Sequence, residues 1–416
     1  MDHHHLQTQN HDDQSFLFHF PIKIKKQLVF LIAIISSIFV LNFISPFDPQ
    51  QLSRFGGLLS KITSQGEEQH CDYSNGRWVR EESSKIQSYD ESCPFLDPGF
   101  RCRNCGRNNL EYLNWKWQPY GCDIPRFNAS DLLERSRNGR IVFAGDSIVR
   151  NQWESFLCLI AQGVSNKSTI HEEHGNPITK HKGFLSMRFS TYNLTVEYYR
   201  APFLVVVGHP PPSSDVKMTV KVDQLHWFSK KWAGADVLVF SGGHWWNEDK
   251  TFKLGCYFED GGKVNMSMNL MDAFQKSLQT WKSWAVNNLT ERSHIFFRSF
   301  SPVHYRNGTW NDGGRCDLNT QPERNHSRLE PDPENNELIS NIINQMRLED
   351  KKRNVEYLNI TYLTEFRSDG HPSVHREPGT PIPAPQDCSH WCLPGIPDVW
   401  NEIIYAHLLS MGFRTK

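Results

Sequence analysis

A short apolar segment, Ile141–Ala144, runs directly into Gly145-Asp146-Ser147, and this junction constrains the fold more than any other part of the chain. Four consecutive apolar residues are typical of a central parallel strand that is buried on both faces. The next segment, Ile148–Ile160, places its large apolar side chains near one helical stripe. The junction therefore predicts a strand that ends in a sharp turn and continues as a helix.

The same alternation continues along the chain. Further short apolar runs predict strands at Thr195–Tyr199, Phe203–Val207, Val237–Phe240, Ile295–Phe297 and Val355–Leu358. Helical patterns cover about Ser267–Asn287, Glu334–Gln345 and Pro397–Met411. We expect Ser267 to cap the first of these helices and Pro397 to lie in the first turn of the last. Alternating strands and helices predict an α/β layer structure with a mostly parallel sheet.

The serine at the first junction is suited to nucleophilic catalysis. A serine hydroxyl becomes a useful nucleophile when a neighbouring base takes its proton. The free N–H groups at the start of the following helix could stabilise a developing oxyanion. Ser147 has this position. The alternative is that Ser147 only caps the helix.

A histidine near the carboxyl terminus supplies the missing base. Asp387 precedes His390 by three residues, and Cys388 and Cys392 enclose the histidine. A carboxylate so placed can orient an imidazole and stabilise its protonated form. The alternative is a pair of surface-loop residues, but their occurrence together with Ser147 favours a catalytic set in the chain order Ser, Asp, His.

An apolar segment near the amino terminus predicts a membrane anchor. Leu28–Ile44 is long enough to span a bilayer, and three lysines precede it, whereas the next basic residue is Arg54. The positive-inside rule places the short tail in the cytosol and the rest of the chain across the membrane. A cleaved signal peptide is the alternative, but the segment is long and lacks a good cleavage site.

The cysteines indicate an oxidising compartment. All ten follow the anchor, at positions 71, 93, 102, 105, 122, 158, 256, 316, 388 and 392, and an even number predicts disulfides. The alternative is a zinc site made by Cys93, Cys102, Cys105 and Cys122. Glycosylation sequons also follow the anchor, at Asn128, Asn166, Asn193, Asn265, Asn288, Asn307, Asn325 and Asn359.

These features divide the chain into five parts. We expect a cytosolic tail over 1–27, the anchor over 28–44, a polar stem over 45–68, a cysteine-rich region over 69–138 that wraps the next part, and a catalytic domain over 139–416. The formal net charge of −1 gives no reason to expect a nucleic-acid partner. No glycine-rich phosphate loop indicates a bound coenzyme, and no metal site is predicted.

Several segments together resemble one plant family. The block Gly145-Asp146-Ser147-Ile148-Val149-Arg150-Asn151-Gln152 is similar to the nucleophile block of the trichome birefringence-like proteins. The segment Asp387–Asn401 follows that family's carboxyl-terminal pattern throughout. Cys71-Asp72, Gly76–Val79 and Tyr120-Gly121-Cys122 look like its amino-terminal region. The resemblance extends from about Cys71 to the end of the chain.

This resemblance implies an SGNH/GDSL-like, flavodoxin-like α/β/α sandwich and a polysaccharide O-acetyltransferase of the Golgi membrane. Ser147 would be the nucleophile, His390 the base and Asp387 its orienting acid. The acceptor would be a cell-wall polysaccharide, and the acetyl donor, or a membrane protein that supplies it, is not identified. Two alternatives stay open: an esterase that removes acetyl groups, and a non-catalytic protein that binds and bridges wall polymers.

Further residues are candidates for binding roles. Bacterial relatives place Gly-X-Asn-Asp after a strand where this chain has Ser241–Asn247, so we expect the oxyanion to be bound by the Ser147 amide and a backbone amide near Gly243, with Asn247 a weaker candidate. Trp245 and Trp246 could stack on sugar rings or pack in the core. Arg150 and Asn151 could contact substrate or tie loops together. Asp369-Gly370-His371-Pro372 is expected to be a structural turn.

Overall fold

The computed structural model describes residues 71–81, 89–212, 214–381 and 383–415. The expected cytosolic tail, the membrane anchor at 28–44 and the stem at 45–68 lie outside these residues. Among the residues described, none of the helices combines the length and the apolar character needed to cross a bilayer.

The strands are β1 (Gly76–Arg80), β2 (Trp115–Pro119), β3 (Arg140–Gly145), β4 (Ile170–Glu172), β5 (Phe184–Phe189), β6 (Leu194–Arg200), β7 (Val205–Gly208), β8 (Met218–Leu225), β9 (Val237–Ser241), β10 (Cys256–Asp260), β11 (Lys263–Asn265), β12 (His294–Arg298) and β13 (Val355–Leu358). The α-helices are α1 (Ala129–Arg135), α2 (Ser147–Ala161), α3 (Ser229–Trp232), α4 (Leu270–Asn288), α5 (Glu334–Glu349), α6 (Thr361–Glu365) and α7 (Ile396–Ser410).

The main sheet has seven strands in the order β13-β12-β9-β3-β6-β5-β4. The five strands from β13 to β6 are parallel to one another, and β5 and β4 add an antiparallel edge. The sequence predicted the parallel strands near their observed positions. It missed the antiparallel edge because those strands are not simple apolar runs.

Helices cover both faces of this sheet. Along β3, Ile141 and Phe143 belong to a core shared with α2 and α7, whereas Val142 and Ala144 belong to a core shared with α4 and α5. Successive strand residues point to opposite faces, so an unbroken apolar run is needed where both faces are covered. The described residues therefore form helix, sheet and helix layers.

Two local predictions are corrected. The segment predicted at Phe203–Val207 forms β7, but β7 belongs to a separate four-stranded sheet, β11-β10-β8-β7, rather than to the main sheet. Helix α4 is capped by Asn269, whose side chain accepts a hydrogen bond from the Asp272 amide, and not by Ser267. Pro397 does lie in the first turn of α7.

Eight of the ten cysteines form four disulfides: Cys71–Cys122, Cys93–Cys158, Cys102–Cys392 and Cys316–Cys388. Cys105 and Cys256 are not bonded to another cysteine. The zinc alternative is wrong, because three of its four proposed ligands are oxidised with other partners. The expectation of disulfides is confirmed for eight cysteines and not for the remaining two.

The cysteine-rich region is loop-rich and packs on the face of the sheet that carries α2 and α7. Tyr89, Phe95, Phe100 and Trp117 are buried in that core. The Cys93–Cys158 disulfide fixes the region to α2. Because most of its apolar side chains lie against the neighbouring α/β layers, this region depends on them for its own core.

The Cys93–Cys158 disulfide gives a stability prediction. The double variant Cys93→Ala/Cys158→Ala should lose about 2–4 kcal/mol of unfolding free energy, since the cross-link restricts the unfolded chain. Denaturant unfolding of the fragment 69–416 measures this. Cys105→Ala is the matched control, because it removes a thiol without breaking a bond. Equal midpoints for the double variant and the wild type would contradict the prediction.

Candidate active site

The turn after β3 presents Ser147 at the carboxyl edge of the sheet. Gly145 has φ 157°, and a Cβ at this position would lie 2.4 Å from the Ser241 carbonyl oxygen, so a larger residue does not fit. Asp146 caps α2, and its Oδ1 accepts hydrogen bonds from the amides of Ile148 at 2.9 Å and Val149 at 3.2 Å. The cap is therefore Asp146, and the Ser147 side chain is exposed.

Asp146 is buried as a carboxylate. Its Oδ2 lies 3.2 Å from Nδ1 of His244, and Nε2 of that ring lies 2.8 Å from the Ser301 carbonyl oxygen. Burial disfavours the charge, but His244, Arg298 and the Val149 amide outweigh it and lower the pKa of Asp146 to about 2. The nucleophile turn thus rests on a fixed negative charge.

Asp387 and His390 form a hydrogen-bonded pair. Nδ1 of His390 lies 2.9 Å from Oδ2 and 3.1 Å from Oδ1 of Asp387. The side chain of His390 is 24% exposed and that of Asp387 is 17% exposed. Nε2 of the imidazole, the nitrogen that does not face Asp387, can therefore contact another group. Burial disfavours the imidazolium, but the Asp387 carboxylate outweighs it and raises the pKa of His390, and the Asp146 carboxylate adds to this rise.

The segment that carries this pair is held at both ends. Cys388 is bonded to Cys316, and Cys392 to Cys102. Between them, the Asn151 side chain makes two hydrogen bonds with the Trp391 backbone, accepting from its amide at 2.8 Å and donating to its carbonyl at 3.1 Å. Asn151 lies one helical turn after Ser147. His390 is therefore anchored to the helix that begins at Ser147.

The structure brings the three predicted catalytic residues to one region, and their roles stay a prediction. No hydrogen bond joins the Ser147 hydroxyl to His390 in the part of the chain that the structure describes. Hydrogen bonds between a nucleophile and its base are often long before substrate binds. Asn151, one turn after Ser147, is hydrogen-bonded to Trp391, the residue after His390, so His390 lies near the start of α2.

A second pair of histidines lies behind the base. Nδ1 of His304 is 2.7 Å from Nε2 of His371, and both rings are buried. Nδ1 of His371 is 2.6 Å from the His390 carbonyl oxygen, and its ring stacks on Trp391 at 4.0 Å. The remaining nitrogen, Nε2 of His304, is 3.0 Å from the Glu365 carbonyl oxygen. His371 therefore fixes the backbone of the proposed base.

The hydrogen bonds of this pair require three protons. Both carbonyl oxygens are acceptors, so Nδ1 of His371 and Nε2 of His304 donate. A hydrogen bond between the two rings would need one more proton and would give the pair one positive charge. Burial opposes this charge, lowering the pKa of His304 to about 4 and that of His371 well below its usual range. The nearest counter-charge is Glu365, whose Oε1 lies 3.8 Å from His304.

The candidate oxyanion donors differ in their availability. In the described chain, neither the Ser147 nor the Gly243 amide donates to a protein acceptor. Gly243 has φ 135° in the loop after β9. Asn247 is a poor candidate for the oxyanion donor. Its Nδ2 donates to the His244 carbonyl at 2.7 Å and its Oδ1 accepts from the Lys250 amide at 3.0 Å, so its side-chain amide is engaged within the loop.

Three of the four residues expected to bind substrate are buried and hold the protein together. Arg150 pairs with Glu154 at 2.7 Å, and Asn151 holds Trp391 as described above. Trp246 is 3% exposed and stacks on Phe258. The structure therefore favours the structural alternative for each: Arg150 and Asn151 tie elements together, and Trp246 packs in the core. Trp245 is partly exposed and remains a candidate.

The rest of the carboxyl-terminal pattern is structural. Asp398 accepts from the Tyr89 hydroxyl at 2.7 Å and from the Gly395 amide at 2.8 Å. The Asn401 side chain donates to the Gln152 carbonyl oxygen at 3.0 Å. These bonds join α7 to α2 and to the cysteine-rich region. They explain why the pattern extends well beyond the histidine.

Sequence reasoning missed several residues of the site. His244 was read only as part of a loop, and Arg298 and His304 were not considered. Asp369 and His371 form a second Asp/His pair in the sequence, for which the neighbouring Gly370 and Pro372 favour a structural turn. Their partners lie 19 to 146 residues away in the chain, so short-range spacing carried no signal.

Comparisons with known proteins agree with this geometry. Residues 124–407 match the PC-Esterase family, described as a GDSL/SGNH-like acyl-esterase family found in Pmr5 and Cas1p. Residues 69–123 match the PMR5 N terminal domain. The chain is 57% identical to protein trichome birefringence-like 9 of Arabidopsis thaliana over the full length of both. The chain belongs to the trichome birefringence-like family.

Other relatives in this family are more distant. Protein trichome birefringence-like 6 of Arabidopsis thaliana is 40% identical, with 82% of this chain and 71% of that protein aligned. Protein trichome birefringence of the same plant is 37% identical, with 87% of this chain and 60% of that protein aligned. The family resemblance expected from the sequence is confirmed, and it includes an SGNH-like domain of the acyl-esterase type.

The Asp387–His390 pair gives a pH prediction. A base must be neutral to accept a proton, so acyl transfer should rise with pH through a midpoint above about 6.5, the ordinary histidine pKa. In Asp387→Asn the pKa of His390 should fall, the midpoint should move to lower pH, and kcat should drop about 10⁴-fold. Asp260→Asn removes a partly exposed carboxylate that pairs with Lys276 at 2.7 Å and serves as control. An unchanged pH profile in Asp387→Asn would contradict this role.

His371 gives a prediction about positioning. In His371→Phe the ring can still stack on Trp391, but the donor to the His390 carbonyl is lost, so kcat should fall about tenfold with little change in KM. His371→Asn keeps an N–H near Nδ1 and should recover much of the rate. Steady-state kinetics test this, with melting curves to check folding. Equal losses in both variants would show that the ring acts through packing alone.

Proposed function

We propose that this protein is a polysaccharide O-acetyltransferase that works through an acetyl-Ser147 intermediate. The observation that supports it most is the position of the Asp387–His390 pair, which two disulfides and the Asn151–Trp391 hydrogen bonds hold against the helix that begins at Ser147. A protein that only binds a polymer has no need of this arrangement. The family of acyl esterases to which the chain belongs also supports acyl chemistry.

The reaction divides into two balanced steps. In the first, His390 takes the Ser147 proton, the serine oxygen attacks the acetyl carbonyl of the donor, and the imidazolium returns that proton to the departing group. In the second, a sugar hydroxyl gives its proton to His390 and attacks the acetyl-serine ester. The serine oxygen leaves and recovers a proton from the imidazolium. Asp387 stabilises the imidazolium in both steps.

The developing oxyanion needs donors that are already oriented. The Ser147 amide lies at the start of α2, where the helix dipole also favours negative charge. The Gly243 amide follows β9, the strand next to β3 at the same edge of the sheet. Preorganised donors of this kind contribute about 10²–10³-fold to the rate each.

The proposal places the donor and acceptor on the lumenal side of the Golgi membrane. An amino-terminal anchor at 28–44 would hold the catalytic domain there as a single-pass type II protein. Disulfides in the described chain are consistent with an oxidising compartment. The donor, or a membrane protein that supplies it, would reach Ser147 from that side, and the acceptor would be a cell-wall polysaccharide.

Acyl-enzyme formation tests this function. Incubation of the lumenal domain with an activated acetyl ester should add one acetyl group, about 42 Da, to the peptide that contains Ser147. The variant Ser147→Ala should abolish this adduct, since no other nucleophile replaces a missing triad member at a comparable rate. Mass spectrometry of the intact and digested protein measures it. Gly243→Ala in the same assay tests the oxyanion donor, because its acylation should be slower.

The fate of the adduct separates the hypotheses. Transfer to a defined oligosaccharide supports a transferase, and loss to water alone supports an esterase. If folded wild-type protein forms no adduct, the serine mechanism is contradicted. A non-catalytic protein that binds wall polymers then becomes the better interpretation. Ser155→Ala is a useful control, since this serine of the same helix is buried against Asp398.

A further inference from the structure

A row of cationic and aromatic side chains runs from the serine turn to a neighbouring loop. Arg200 ends β6 and is the register partner of Gly145, two residues before Ser147. Its side chain is exposed, and its guanidinium lies 5.8 Å from the centre of the Trp245 ring. Trp245 follows His244, the residue that contacts Asp146. Both side chains thus lie at the edge that carries the nucleophile.

Lys250 extends this row. Its ammonium lies 5.6 Å from the centre of the Trp245 ring and 4.5 Å from that of Trp310. Trp310 is 42% exposed, and its Nε1 donates to Asp249 at 2.7 Å, which ties the loop around residue 310 to the loop after β9. The row therefore consists of two cations that alternate with two partly exposed tryptophans.

The cations of this row are only partly matched by protein carboxylates, of which Asp249 is the chain neighbour of Lys250. Among the residues that the structure describes, neither Arg200 nor Lys250 forms an ion pair, whereas the nearby Asp249 pairs with Lys253 at 2.6 Å. Beyond the base, Arg376 adds a third cation that forms no ion pair in the same residues, and its charge acts on Asp387. An anionic ligand at this edge would meet positive charge on both sides of the site.

The chemistry of the row specifies a class of ligand. Flat indole faces suit the apolar face of a pyranose ring, and guanidinium and ammonium groups suit a carboxylate. A uronic-acid residue carries both features on one sugar. A neutral sugar would use the tryptophans and leave the cations without a partner.

Resting on the proposed function, we propose that Arg200, Trp245, Lys250 and Trp310 form an acceptor subsite for uronic-acid residues of an acidic polysaccharide. The sugar ring packs against the exposed part of the Trp245 and Trp310 rings that the cations leave uncovered, and its carboxylate pairs with Arg200 or Lys250. A hydroxyl of this residue or of its neighbour then reaches acetyl-Ser147. The anionic groups of an acetyl donor are the other source of such charge, and the test separates the two.

Competition between acidic and neutral acceptors tests the subsite. Ser147 is first acetylated with a neutral aryl acetate, so that the loading step needs no cation. Oligogalacturonides and neutral xylo-oligosaccharides of equal length then serve as acceptors. In Arg200→Gln and Lys250→Gln, kcat/KM for oligogalacturonides should fall about tenfold each, as expected for the loss of one charge-assisted contact. Transfer to xylo-oligosaccharides should change less than twofold.

Two control variants isolate the cause. Lys253→Gln removes a nearby charge that is already paired with Asp249, and it should leave both acceptors unaffected. Trp245→Ala should weaken both acceptors, because stacking does not depend on the carboxylate. Higher salt should weaken transfer to the acidic acceptor only.

The outcomes distinguish this inference from the proposed function. Equal losses for acidic and neutral acceptors, or no preference for the acidic one in the wild type, would overturn the subsite while acetyl-Ser147 stands. Slower loading from acetyl-coenzyme A in Arg200→Gln, with acceptor use unchanged, would assign the cations to the donor. If Ser147 is not acetylated at all, calorimetric binding of oligogalacturonides by the wild type and Arg200→Gln still decides whether the subsite exists.

Discussion

The proposed active site depends on keeping one six-residue segment, from Asp387 to Cys392, against the end of the main sheet. A loop of this length has little internal packing, so its geometry comes from its attachments. Two disulfides fix it at Cys388 and Cys392, and the Asn151 side chain holds its centre. His371 holds the carbonyl of His390 from behind. These constraints remove much of the conformational freedom that would otherwise separate the base from the serine.

The cysteine-rich region thereby becomes part of the scaffold of the proposed active site. One of its disulfides reaches α2, which begins at Ser147, and another reaches Cys392, two residues after His390. Arg107 of the same region donates to the carbonyl of His371 at 2.8 Å. A region that contacts both the nucleophile helix and the base segment couples their positions. This accounts physically for the occurrence of the PMR5 N terminal domain beside the acyl-esterase domain in one chain.

Buried polar groups are concentrated around this edge of the sheet. Asp146, Arg298, His304 and His371 are all buried, and each has at least one hydrogen-bond partner. Burying such groups costs free energy unless they are paired, so their concentration is typical of a functional site. The charge of Asp146 beneath the serine and that of Asp387 beside the histidine both favour the imidazolium that forms when the serine is deprotonated.

The sequence by itself determined the parallel strands, the helices after them, and the pair Asp387 and His390, because these depend on local periodicity and on spacings of a few residues. It also indicated the family. Tertiary structure alone decided which cysteines pair, that Arg150, Asn151 and Trp246 are buried, and that His304 meets His371. The two disulfides that link the cysteine-rich region to the rest of the chain join residues that are 65 and 290 positions apart. The two histidines are 67 positions apart. Such contacts exist only after the sheet and its helices have packed, because no local pattern of side chains specifies a distant partner.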